Sequence, residues 1–358
     1  MPRRPSKTKS ATSSSSRRAG NPAPGAAGDE AFLREAIAEA AKGSPHPNPA
    51  VGAVIVREGR ILARGFHSRA GGPHAEIEAI RALRDPREAV GATLYVTLEP
   101  CSTHGRTPPC TDAIIRAGFS RVVFGATDPN PAHRSRAARL MQEAGISVES
   151  GVLAEACEAL NTAWNKWIAT GLPFVTIKAG MSLDGRISSP PGRRWITSRE
   201  ARADAMKLRA AHVAILVGGG TVRDDNPRLT LRGLPGGRQP LRVVWTRSGN
   251  LPPDSRLLID GGPTRVFCGG TIRACLRDLG ASGIQSVLIE GGGRTLGEVI
   301  DRNLADQAVF YIAPVLLGGP VPATAGRGFA DPFRSPRLEN PEYRQIGPDL
   351  RVSGKIRI

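Results

Sequence analysis

A histidine, two cysteines and a carboxylate fall at spacings that suit metal chemistry: His74-Ala75-Glu76, then Pro100-Cys101, then Cys110 nine residues on. One imidazole and two thiols are three protein ligands. They leave the fourth tetrahedral position of a zinc ion open, as catalytic zinc sites do and structural ones do not. Zinc held this way lowers the pKa of a coordinated water to about 7. Glu76 lies outside the ligand set and next to it in sequence. It is placed to carry protons between an attacking water and a leaving amine, which is hydrolytic chemistry at a carbon bearing nitrogen.

The order His-x-Glu, Pro-Cys, Cys is that of zinc deaminases, in which the Glu is not a ligand. Their usual cysteine spacing is Cys-x-x-Cys, so the longer gap here is a departure. A structural zinc, or two unrelated cysteines, is the competing reading. The surrounding elements favour the catalytic one. Thr93–Leu98 reads as a short strand ended by Glu99-Pro100, which puts Cys101 at a strand exit. Cys110 follows Pro108-Pro109 and precedes a helix over Thr111–Ala117 with Gly118 as its stop. His74 follows Pro73 and opens a helix with Ile77, Ile80 and Leu83 on one face. Two ligands therefore lie at helix N-termini, where the positive dipole end and a metal both favour thiolate.

Periodicity outlines the rest. Ala31–Lys42 is an expected helix closed by Gly43, and His46-Pro47-Asn48-Pro49 a loop. Val51–Val56 and Arg60–Gly65 form an expected hairpin turning at Glu58-Gly59. A strand at 121–124, a helix over Arg134–Ala144 and a short edge strand at 146–148 complete an alternating α/β unit. Ala154–Thr170 reads as one connecting helix, broken by Gly171-Leu172-Pro173 at a domain boundary. A second α/β unit starts at Phe174. Its further strands are expected at 213–217, 242–246, 265–268, 286–290 and 308–313, and its helices at 199–210, 271–280 and 294–302.

The chain has 358 residues, enough for two domains. Five cysteines, an odd number, and no signal-peptide apolar region argue for a reducing, cytoplasmic setting. No apolar run is long enough to cross a membrane. Residues 1–28 carry six Lys or Arg and no acid, with no apolar periodicity, and are expected to form a disordered basic leader. The same composition fits an organelle transit peptide. The net charge is +17, of which +11 remains beyond the leader. Basic charge attracts nucleic acid or phosphorylated small molecules alike. An aromatic content of 4% leaves few platforms for stacking single strands, so no nucleic-acid partner is expected.

Two glycine-rich strand exits mark the second half. Ile289-Glu290-Gly291-Gly292-Gly293 is either a tight strand-to-helix turn or a place where backbone N–H groups meet a phosphate. Val217-Gly218-Gly219-Gly220 runs on through acids and arginines to Arg232, and reads as a ribose-and-phosphate segment or as solvated loop.

Taken together, the motifs resemble the bifunctional deaminase–reductases of riboflavin biosynthesis, from about residue 29 to the C-terminus. The first-domain signatures are His46–Gly52, Pro73–Glu76 and Thr97–Cys110. The second-domain ones are Lys178 with Ser182–Arg186, Trp195–Ser198, Thr221–Arg232, Glu290–Gly292, Ile312–Pro314 and Leu317–Gly319. In this family the nine-residue cysteine spacing is normal. The resemblance implies a cytidine-deaminase-like α/β/α domain (29–150), a connecting helix and linker (151–172) and a dihydrofolate-reductase-like α/β domain (173–358).

It further implies zinc on His74, Cys101 and Cys110, Glu76 as general base then general acid, and NADPH in the second domain. The implied substrate is 2,5-diamino-6-ribosylamino-4(3H)-pyrimidinone 5′-phosphate, first deaminated and then reduced from ribosyl to ribityl. Ala179, Trp195, Thr221, Asp225 and the segment Gly292, Gly293, Arg294, Thr295, Leu296, Gly297 would contact NADPH. Arg193, Arg209, Leu229, Arg232 and Glu290 would contact the sugar phosphate. His46, Asn48 and His67 would line the pyrimidine pocket, though His67 reads equally as a hydrogen-bonded loop residue. Thr103, Arg193 and Arg247 depart from the common pattern. A homo-oligomer is implied. The alternative is an RNA or nucleotide deaminase with a non-catalytic second domain.

Overall fold

The computed structural model describes residues 26–104, 108–130, 133–187, 195–233 and 238–357. The leader up to residue 25 and Arg193 lie outside them. The first domain runs α1 (Ala26–Ala40), β1 (Gly52–Arg57), β2 (Arg60–Phe66), α2 (Ala75–Arg81), β3 (Thr93–Leu98), α3 (Cys110–Ala117), β4 (Arg121–Ala126), α4 (Arg136–Glu143) and β5 (Ser147–Ser150). α1 begins at Ala26, inside the segment expected to be leader. Its first turn is fixed by Asp29, whose buried carboxylate accepts from Arg121 on β4 (2.7 and 2.9 Å) and from the Tyr95 hydroxyl on β3 (2.7 Å).

The sheet order is β2-β1-β3-β4-β5, with β1 antiparallel to both neighbours and β3, β4 and β5 parallel. β1, β3 and β4 are almost wholly buried, as near-continuous apolar runs covered by helices on both faces should be. Two glycines set how closely those helices approach. A Cβ on Gly52 would lie 2.0 Å from the Ala36 carbonyl oxygen of α1. One on Gly65 would lie 2.3 Å from backbone atoms of Ala75 and Ala79 in α2. Gly65 pairs with Ala53, so Gly52 faces the other way. α1 and α2 therefore cover opposite faces.

The expected single helix 154–170 is two, α5 (Ala154–Ala159) and α6 (Thr162–Thr170). The break falls at Asn161, whose side-chain amide both donates to and accepts from the backbone of Ala50 (2.8 Å each). The Asn161 backbone serves as the N-cap of α6: its N–H turns back to the Glu158 carbonyl (3.0 Å) and its carbonyl accepts from the Asn165 N–H (2.7 Å).

The second domain comprises β6 (Phe174–Ser182), α7 (Arg199–Ala210), β7 (Ala214–Gly218), α8 (Gly219–Asp225), β8 (Leu241–Thr246), α9 (Arg256–Ile259), β9 (Thr264–Cys268), α10 (Ile272–Ala281), β10 (Ser286–Ile289), α11 (Gly293–Asp301), β11 (Gln307–Ala313), β12 (Arg337–Ile346) and β13 (Asp349–Arg357). Its sheet order is β12-β13-β11-β6-β10-β7-β8-β9. The six strands from β11 to β9 are parallel, and β13 and β12 close one side antiparallel. β10 inserts between β6 and β7, which makes the carboxyl ends of these three strands a topological switch point. Crevices of this kind are where open α/β sheets bind ligands.

Candidate active sites

The first site is assembled at the ends of three elements. His74 is the residue before α2, Cys101 follows β3, and Cys110 is the first residue of α3. His74 Nδ1 lies 3.5 Å from Cys101 Sγ and 3.3 Å from Cys110 Sγ, and all three donor atoms fall within 4.8 Å of one another. Tetrahedral zinc with bonds of about 2.0 Å to nitrogen and 2.3 Å to sulfur needs ligand separations of about 3.5 Å. The donor set and its spacing thus fit zinc. Among the described residues no other group of three such donors comes together.

Charge is arranged to match. The Cys101 thiol is pulled well down, first by its hydrogen bond with Cys110 and then by His74. The backbone N–H of Cys110 also donates to Cys101 Sγ (3.3 Å). His74 is pushed up, chiefly by its hydrogen bond with Cys101.

Glu76, the second residue of α2, is 3% exposed. Burial pushes its carboxyl up, and the nearby Cys101 charge adds to the effect. A carboxyl raised in this way sits closer to neutral pH, where proton transfer in both directions is efficient.

The surroundings orient the ligands. Buried His67 donates from Nδ1 to the Pro73 carbonyl (2.8 Å), so its Nε2 accepts from the Asn48 side-chain amide (3.0 Å). Its ring meets the His74 ring edge-on at 5.1 Å. His67 is thus a hydrogen-bonded residue, as one of its two readings had it, and it also lies against a candidate ligand. Sequence reasoning passed over Glu99. Its buried Oε2 accepts from the backbone N–H of Asp128 (3.3 Å) and Ser135 (3.1 Å) and ties the β4–α4 loop to the β3 exit beside Cys101. An acid at the end of a buried strand, directly before Pro-Cys, was the available signal. Asp128, also missed, has its carboxyl pushed up by burial.

The second site occupies the switch point. Ala179 is on β6, Thr221 and Asp225 on α8, and Glu290 and Gly292–Gly297 run from the end of β10 into α11. Arg209 of α7 grips Glu290 with a two-pronged ion pair (Nε and Nη2, 2.7 Å each), and its Nη1 donates to the Thr230 carbonyl (3.0 Å). Burial opposes ionisation of Glu290, but the Arg209 and Lys178 charges prevail and hold its carboxyl at about 2.

The glycines make the cradle. Gly218 passes against Thr295, whose Oγ1 would be 2.3 Å from an added Cβ. Gly293 packs on the Pro322 carbonyl, 2.2 Å from such a Cβ. A Cβ on Gly291 would meet nothing. Gly292, the N-cap of α11, offers no side-chain cap; the Thr295 N–H turns back to the Gly292 carbonyl (2.9 Å), which leaves the N–H groups of Gly293 and Arg294 at the helix start to meet a ligand. This fits a phosphate-bearing cofactor.

Other expected contacts sit differently. The side chains of Leu229 and Leu296 are buried in apolar clusters, with Val217 and Val222 around Leu229 and Ile289 and Val299 around Leu296. Only their backbones are left to face a ligand. Trp195 is exposed, with the Arg202 guanidinium 4.8 Å over its ring. Arg294 and Arg232 are exposed. Asp184 accepts from the Ser182 hydroxyl (2.6 Å) and from the N–H groups of Leu317 and Gly318 (3.0 and 2.7 Å), so it fixes the loop after β11.

Comparison with known proteins covers both halves. Residues 27–126 match the cytidine and deoxycytidylate deaminase zinc-binding region, and 173–352 match the RibD C-terminal domain. The riboflavin biosynthesis protein RibD of Bacillus amyloliquefaciens is 38% identical over 91% of this chain and 95% of its own. That of Escherichia coli K12 is 38% identical over 90% and 98%. Among solved structures, Acinetobacter baumannii RibD (form 1) has 33% identity and a TM-score of 0.84, covering 93% of this chain and all of its own. A diaminohydroxyphosphoribosylaminopyrimidine deaminase/5-amino-6-(5-phosphoribosylamino)uracil reductase from Thermotoga maritima has 35% identity and a TM-score of 0.81, covering 93% and 99%.

Proposed function

The chain belongs to the RibD family of bifunctional riboflavin-biosynthesis enzymes, and from that membership we propose which of its residues perform each step. The enzyme catalyses zinc-dependent deamination of a riboflavin-pathway pyrimidine, then its NADPH-dependent reduction. The substrate of the first step is 2,5-diamino-6-ribosylamino-4(3H)-pyrimidinone 5′-phosphate, and the final product is 5-amino-6-ribitylamino-uracil 5′-phosphate. The match along both domains removes the ground for an RNA or nucleotide deaminase with a silent second half.

His74, Cys101 and Cys110 hold zinc, which when bound makes water a nucleophile near neutral pH. Glu76 takes a proton from the attacking water and delivers it to the departing amino group. A carbon–oxygen bond forms, the carbon–nitrogen bond breaks, and ammonia leaves. His67 and Asn48 wall the pyrimidine pocket. The observation that carries this reading is the buried Glu76 carboxyl beside three zinc donors that lie within 4.8 Å of one another.

In the second domain NADPH supplies a hydride. The α11 N-terminus takes a cofactor phosphate, and Ala179, Trp195, Thr221 and Asp225 line the cofactor's path. Arg193 and Arg232 meet the substrate phosphate. Arg209 is already engaged, so its role is to hold Glu290 charged and oriented toward the sugar. No helix among the described residues is long and apolar enough to cross a membrane. The five free cysteines support a cytoplasmic setting, and the exposed Phe333, just before edge strand β12, and Tyr343 on that strand support a homo-oligomer.

Stripping zinc with a chelator should abolish ammonia release from the diamino substrate, and zinc should restore it. NADPH oxidation with the deaminated substrate should be unaffected throughout. Deamination by the metal-free chain would overturn the assignment.

A further inference from the structure

The loop 46–50 carries Asn48, the partner of His67, and both of its ends are held from outside its own domain. At the start, Gln285 reaches across from the reductase unit. Its Nε2 donates to the Pro47 carbonyl (2.5 Å) and its Oε1 pairs with His46 Nδ1 (3.2 Å). At the end, Asn161 of the linker makes its two bonds to Ala50. Gln285 is 6% exposed, and both ends of its side-chain amide are spent on the other domain. It stands immediately before β10, the strand that delivers Glu290 to the reductase site.

A cleft of about 230 Å³ lies behind the loop, lined among others by His46, Asn48, Asn161, Trp164 and Gln285. Apolar packing therefore does not fill the space behind this loop, and polar ties set its position. From Gln285 the connections run through Pro47 and His46 to Asn48, from Asn48 to His67, and from His67 to the ring of His74.

We propose that Gln285 is a positioning residue for deamination: the reductase domain holds the 46–50 loop, and through Asn48 and His67 it shapes the pyrimidine pocket of the other active site. This rests on the assignment of the first site given above. The reductase unit then contributes to the first reaction as well as catalysing the second, and an isolated first domain would bind substrate poorly even when zinc-loaded.

The test uses the full chain with Gln285→Ala and with Gln285→Met, which keeps the bulk and loses both bonds. Three quantities are read: deaminase KM and kcat, reductase KM and kcat on pre-deaminated substrate, and amide hydrogen exchange across residues 46–52. Loss of hydrogen bonds of ordinary strength at a pocket wall should raise the deaminase KM about three- to tenfold. Deaminase kcat, zinc content and both reductase constants should stay within twofold or so of the parent. Exchange over 46–52 should rise while β3 and α3 keep their protection. The exchange readout does not depend on turnover, so it separates failure of the clamp from failure of the site assignment. Unchanged deaminase KM and unchanged exchange in both variants would overturn the proposal. So would a parallel fall of both activities with melting temperature, which would make Gln285 merely structural.

Discussion

Replacing Glu76 by Gln isolates proton transfer from everything else at the zinc site. The two side chains are nearly isosteric, and Glu76 is 3% exposed in a packed helix, so the shape of the site is retained. Gln cannot take a proton from water or return one to an amine. General acid–base catalysis contributes about 10²- to 10⁴-fold, which at about 1.4 kcal/mol per decade is roughly 3–5 kcal/mol of barrier. Deaminase kcat should fall by that factor, and zinc content should remain at one per chain, because Glu76 is not a ligand.

Stability supplies an internal check with the opposite sign. Burial raises the folded-state pKa of Glu76, so the folded chain holds this proton more tightly than the unfolded one. Metal-free wild type therefore loses stability as pH rises from the unfolded value of 4.5 toward the folded one. The metal-free Gln variant lacks that loss and should melt no lower than wild type at pH 8. The assay is ammonia release, with zinc quantified on the same sample and melting followed after chelation. A variant that keeps more than about a tenth of wild-type kcat would refute the proton-transfer role. One that loses zinc would show the carboxyl to be part of the metal's support.

Three further changes separate the two sites. Gly65→Ala would put a Cβ 2.3 Å from the backbone of α2, forcing the helix and with it His74 and Glu76 off the sheet. Zinc content and deamination should fall together while reduction persists, and a zinc-replete variant would contradict this. Gly293→Ala would collide with the Pro322 carbonyl at 2.2 Å; NADPH binding, followed by fluorescence titration, should weaken with deamination untouched. Arg209→Ala would leave Glu290 buried and unpaired, at a cost of about 3–5 kcal/mol. Because Glu290 is held at about 2, the pair's stabilisation is complete above pH 4.5 and fades as pH falls toward 2. The wild-type advantage in melting temperature should therefore shrink across that acid range, and a constant gap would show that the charge pair is not its source.

The zinc site was legible because its parts are local: a strand end, two helix starts and prolines beside the ligands fix where each donor must emerge. Most strands and helices were legible for the same reason, with α7 expected and found at 199–210. What escaped depends on distant partners. The break at Asn161 is set by Ala50, more than a hundred residues away, so helical periodicity runs through it unmarked. α8 begins with Gly219-Gly220, a composition that reads as loop until the neighbouring Thr246 requires a residue without a side chain. β12 and β13 were missed because both faces of β12 are largely exposed, which leaves no apolar alternation to see. Leu229 and Leu296 show the limit of carrying contacts over by motif. A motif places a residue at a site, but burial decides whether side chain or backbone faces the ligand.

The central claim is that one chain carries two working sites used in order. It is tested most directly by a mass-spectrometric time course of the purified protein with the diaminopyrimidinone ribosyl phosphate, with and without NADPH. The account predicts only the deaminated ribosyl compound without cofactor, and its conversion to the deaminated ribityl product once NADPH is present. A ribityl product still carrying both amino groups would contradict the order. Deaminated material that NADPH never reduces would contradict the second site.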